Sequence, residues 1–96
     1  MTSELLEQLL GRCALGDQTA FKQLYNTVAS KLNGIAYRIL NNVDTANEVL
    51  QEAFVQIWSK AGEYRSEMAE PMTWMASIVR YRAYDRIRHD NRRVEG

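Results

Sequence analysis

The sequence has no apolar run approaching the roughly 18–20 residues that a membrane-spanning helix needs, and its start lacks the basic-then-apolar order of a secretory signal. No membrane insertion is expected, and the cytoplasm is the expected compartment. One cysteine, Cys13, is too few for an internal disulfide, and one histidine, His89, leaves no cluster with metal-ligand spacing. Neither a metal nor another cofactor is expected. There is no glycine-rich phosphate loop, no nucleophile beside a histidine and no carboxylate pair that the apolar pattern turns inward. An enzyme is therefore not expected. Alternating strand patterns and internal repeats are missing too, which leaves helices.

What is present is an ordinary globular composition of 96 residues, 46% hydrophobic and 25% charged, with one proline and five glycines. A chain of this length makes one domain with one core. Four amphipathic segments supply it, so the fold class is all-α, a compact bundle of about four helices. Leu5, Leu6, Leu9, Leu10 and Cys13 mark a helix over about 3–15 that stops at Gly16, and Cys13 reads as a small buried hydrophobe. Asp17 caps a second helix over 17–40, whose apolar set runs from Phe21 through Leu24, Tyr25, Val28, Leu32, Ile35 and Ala36 to Leu40. Gly34 inside it suggests a close helix crossing. A third helix, about 44–60, has Asp44 as its expected cap and Gly62 as its expected left-handed stop. Residues 62–70 have neither period and read as a loop. Pro71 suits the first turn of a fourth helix, over 71–89.

The third helix is the organising stretch. Ala46, Val49, Leu50, Ala53, Phe54, Ile57 and Trp58 fall on one side and must be buried. The other side carries Glu48, Gln51 and Glu52 with Asn47 and Val55, two carboxylates and an amide with an apolar residue among them. Such a stripe fits either a solvated face or a partner-docking face.

Net charge is zero but unevenly spread. Over residues 80–93, Arg80, Arg82, Arg86, Arg88, Arg92 and Arg93 outnumber Asp85 and Asp90, whereas acids outnumber bases over residues 1–58. Arginine forks suit phosphates and stack on flat rings, so a polyanion partner fits this end, and a solvated helix end fits it as well. On the fourth helix Arg80, Tyr84 and Arg88 lie four apart beside Tyr81, next to a loop holding Tyr64 and Arg65. Tyrosines interleaved with arginines make a surface able to stack unpaired bases and neutralise phosphates.

In order, the run Ala46 to Trp58, the loop, Pro71-Met72-Thr73-Trp74 and Ile78 to Arg88 resemble region 2 of the extracytoplasmic-function sigma factors of bacterial RNA polymerase. Leu9 to Asp17, Phe21 and Leu24-Tyr25 fit the start of that region, so the resemblance covers nearly the whole chain. It implies a promoter-recognition domain of an alternative sigma factor. Glu48, Gln51 and Glu52, flanked by Asn47 and Val55, would dock on the clamp helices of the polymerase's largest β-type subunit. Residues 62–70, led by Tyr64 and Arg65, would capture a base flipped from the non-template strand of the minus-ten element. Trp74, Arg80, Tyr81, Tyr84 and Arg88 would hold the opened strand. The chain departs from the family pattern in having Glu48 where aspartate is common and Tyr81 where asparagine is common. The family also has a C-terminal region 4 helix-turn-helix domain, absent from this chain, so the 96 residues are expected to be an isolated domain of a longer protein. An anti-sigma factor is a further partner that the resemblance implies. The alternative is a helical protein–protein interaction module without DNA binding.

Overall fold

Helical periodicity is realised as four α-helices: α1 (Ser3–Ala14), α2 (Gln18–Leu40), α3 (Val43–Lys60) and α4 (Pro71–Glu95), with a 3-10 turn at Ala61–Glu63 after α3. The computed structural model describes residues 2–95, with side chains described to Arg92, so Arg93 of the basic end has its side chain outside the described residues. Among the described residues there is no strand. The bundle measures 44 × 22 × 22 Å, its long axis close to the roughly 37 Å that 25 helical residues span.

Each start and stop has a local cause. The Thr2 hydroxyl accepts the Leu5 amide and opens α1, and the Asp17 carboxylate accepts the Ala20 amide at 3.1 Å and opens α2. Between them Gly16 sits at φ +85°, a left-handed position where a side chain is strained. Asn41, also left-handed at φ 53°, ends α2, and its amide donates to the Tyr37 carbonyl. The cap of α3 is Asn42, whose side chain accepts the Thr45 amide at 2.9 Å. Asp44 lies instead in the first turn, where its charge still suits the helix dipole. Gly62 is not a left-handed stop; it lies within the 3-10 turn, and among the described residues Gly16 is the glycine with positive φ. Pro71 is the first residue of α4, as its fixed φ favours. That helix runs six residues past the expected end.

Helix α2 is the axle of the bundle and touches each of the other three. Leu24, Val28, Leu32 and Ala36 are fully buried along it, facing Leu10 of α1, Val49 and Ile57 of α3, and Met75 and Val79 of α4 in one core. Cys13 is buried in the same core, and desolvation, then the nearby Asp17 carboxylate, raises its thiol pKa against the opposing pull of Arg12. Among the described residues no polar side chain is buried and no buried side-chain polar atom lacks a partner. The expected crossing at Gly34 does not occur, for a Cβ built there meets nothing within 4 Å. The two glycines therefore respond oppositely to alanine. Gly34→Ala is expected to stabilise the domain by about 0.5–1 kcal/mol and Gly16→Ala to destabilise it by about 1 kcal/mol. Urea midpoints at unchanged m-value measure both, and a destabilised Gly34→Ala would contradict the open space seen there.

Candidate functional site

With its apolar side buried, α3 presents Asn47, Glu48, Gln51, Glu52 and Val55 to solvent, so these five sequence-predicted residues share one exposed face. Neighbouring helices tie that face down. Asn33 Nδ2 of α2 donates to the side-chain Oδ1 of Asn47 at 2.9 Å, and Gln51 Nε2 donates to the Tyr25 hydroxyl at 3.4 Å. From α4, the Arg86 guanidinium donates to Glu52 at 3.0 Å and to Glu48 at 3.4 Å. Val55 is 69% exposed and, with Gln18, Phe21 and Trp58, lines an open groove of about 360 Å³. Edge-to-face contacts stiffen the wall behind it, Phe21 lying 5.0 Å from Trp58 and 6.0 Å from Phe54 between ring centres.

A second surface is built by α4 and the loop before it. Arg80, Tyr81, Tyr84 and Arg88 are all exposed, with Tyr81 at 60% and Tyr84 at 51%. Their phase follows from the helix itself. Arg82 reaches α3, its Nε donating to Gln56 Oε1 at 2.7 Å, and Arg86 reaches it one turn later. Two residues are roughly 200° of helical rotation, so Arg80, Tyr84 and Arg88 point away from α3. Among the described residues Arg88 bonds only to Asp85 of its own helix, at 3.3 Å, an exposed pair that yields readily to a stronger anion.

The loop residues are less free than their sequence suggests. Tyr64 is half-buried, its ring 5.2 Å from that of Trp74 and its hydroxyl donating to the Ala69 carbonyl at 2.7 Å. Burial, and then the acids Glu7, Glu70 and Glu67, raise its pKa, so the hydroxyl stays a neutral donor. Arg65 folds back onto the carbonyls of Gly62 and Tyr64 at 2.9 and 3.0 Å. The far end of the loop is moored to α1, where Ser3 donates to the Glu70 carboxylate. Tyr64, Arg65 and Trp74 thus shape the loop, while Ser66, Glu67 and Met68 form its exposed crest.

The structure therefore brings the predicted residues together as two surfaces, one on α3 and one on the outer side of α4 with the loop. Residues 24–93 match the family profile described as Sigma-70 region 2. The chain belongs to that family. The match opens inside α2 and closes in α4, so both surfaces of this region 2 domain lie within it. Over 85 residues, 88% of this chain, it is 33% identical to the ECF RNA polymerase sigma factor SigK of Mycobacterium sp. (strain KMS). It is 32% identical over 83 residues to the protein of the same name from Mycobacterium tuberculosis (strain ATCC 25618 / H37Rv). The chain spans 44% of the length of these curated relatives. The family resemblance and the all-helical fold read from the sequence are both borne out. Sequence reasoning missed the inward turn of Arg82 and Arg86, which it counted with the free basic end. A signal was available in the phase of α4, since both fall beside its core stripe of Met75, Val79 and Ala83, roughly 200° of rotation from the Arg80–Tyr84–Arg88 stripe. It also passed over Met68, 59% exposed at the loop crest.

Proposed function

We propose that this region 2 domain recognises promoters within a sigma factor, docking on core RNA polymerase through α3 and holding the opened non-template strand of the minus-ten element with α4 and the loop. The observation that carries this reading is the opposed phase of the arginines on α4. Arg82 and Arg86 serve the helix pair, whereas Arg80 and Arg88 stand out beside Tyr81 and Tyr84, where packing gives them no purpose. Phosphates and unstacked bases match that combination of forks and rings. On α3 the acids, Gln51 and Val55 offer a polar ring around an apolar anchor, which suits a basic helical partner such as the clamp helices of the largest β-type subunit. Tyr64, Arg65 and Trp74 contribute by fixing the loop that receives a flipped base.

Extruding a base costs a few kcal/mol, and stacking returns about 1–3 kcal/mol per base, so capture offsets melting. The domain then acts without chemistry of its own: it binds the open strand better than the duplex and shifts that equilibrium, while the polymerase makes RNA. An anti-sigma factor covering either surface would silence it.

The test is anisotropy of a labelled single-stranded minus-ten library across a salt series. For each phosphate contact removed by Arg80→Ala or Arg88→Ala, the log–log salt slope is expected to shrink by about 0.7. Tyr84→Ala is expected to weaken binding by about 1–3 kcal/mol without changing that slope. Slopes identical to that of the unmodified domain would assign both arginines to solvent and favour a module that binds protein alone.

A further inference from the structure

Six arginines lie between residues 80 and 93, and among those described Arg86 is the one that meets acids of another helix. Its side chain is 21% exposed against 59% for Arg88, and it crosses to α3, where it meets the Oε2 atoms of both Glu48 and Glu52. Those two acids are one turn apart, a spacing at which like charges repel. A planar guanidinium between them satisfies both at once, which a point-charge ammonium does not do. One turn earlier, Arg82 holds Gln56 in the same way, so α3 and α4 are laced by consecutive bonds on the margin of the polar face. Each glutamate keeps its Oε1 atom without a hydrogen-bond partner among the described residues.

We propose that Arg86 is a positioning residue, which sets Glu48 and Glu52 in fixed orientations with one oxygen each turned outward for a cation of the polymerase. The proposal rests on the docking role of α3 given above. It makes a prediction opposite to that of simple charge. Removing Arg86 leaves the acidic face more negative, and if charge alone governed docking, a basic partner would bind faster and tighter. If Arg86 orients the acids, its removal leaves two mutually repelling, mobile side chains that must be ordered during binding, and affinity falls.

The experiment titrates the 96-residue chain and its variants with a clamp-helix fragment of the β-type subunit, recording association and dissociation rates, with circular dichroism as the check on folding. Arg86→Gln is expected to weaken binding about tenfold, chiefly through faster dissociation, despite the added negative charge. Arg86→Lys restores the charge without the fork and is expected to recover only part of the loss. Equal or tighter binding by Arg86→Gln overturns the positioning role alone. Should Arg86→Gln fail to fold, Arg86→Lys decides, since a lysine variant with the affinity of the unmodified domain overturns the role equally. If the unmodified domain itself ignores the fragment, the docking reading falls, and the positioning role falls with it.

Discussion

Replacing Leu24 by alanine is expected to destabilise the domain by about 2–5 kcal/mol, the range for a leucine whose removal leaves a cavity that its surroundings fill only in part. Leu24 is fully buried, and it lies on α2, which touches each of the other three helices. Close packing gives its neighbours little room to collapse inward, because they are held from three sides. For a domain of this size each kcal/mol corresponds to roughly 4–8 °C, so the melting temperature should fall by about 10 °C or more. Leu5→Ala is the matched control. Leu5 sits on the same kind of apolar pattern in α1 yet is 42% exposed, and its loss should cost about 1 kcal/mol or less. Chemical denaturation of both variants measures the difference. Similar costs at the two positions would mean that the core is not organised around α2.

That pair also shows where reading the sequence reaches its limit. Periodicity identifies the face of a helix, so all four helices, the Asp17 cap, the break at Gly16 and the Pro71 start were legible. It does not tell how far an element extends over that face, and Leu5 and Leu24 look alike until three dimensions separate them. At α3 the expected cap was Asp44, whereas Asn41 closes one helix and Asn42 opens the next. Val43, 62% exposed, gave no apolar signal that the helix had begun. The end of α4 was hidden for a related reason: beyond Ala83, among the side chains described to Arg92, no fully buried residue marks the pattern.

The candidate site was legible as composition but not as geometry. The stripe on α3 and the Arg80–Tyr84–Arg88 stripe follow from residue numbers alone, because side chains four apart must share a face. The partners of those side chains do not follow. Arg86 meets acids 34 and 38 positions away, and Tyr64 finds Trp74 across a loop whose path no period describes. Long flexible side chains are oriented by whatever tertiary neighbour satisfies them, and that choice is made only once the helices have packed.

Truncating both acids, Glu48→Ala with Glu52→Ala, is expected to weaken binding to core RNA polymerase at least about 30-fold, the equivalent of 2 kcal/mol at the low end of what losing one partner of an interfacial charge pair costs. Stability should change by less than about 1 kcal/mol, since both acids are exposed on a helix that alanine favours and exposed ion pairs contribute little. Arg86 loses two acceptors, but its partly exposed guanidinium gains water in their place. The same protein should bind single-stranded minus-ten DNA with undiminished affinity, because Arg80, Tyr84 and Arg88 point away from α3. The double readout separates the two surfaces: loss of polymerase with retention of DNA assigns docking to α3 and strand capture to α4. Polymerase binding within threefold of the unmodified domain would return the acids of α3 to the solvent and leave the outer face of α4 as the only candidate interface. Loss of both ligands together would show instead that the surfaces are coupled through the fold.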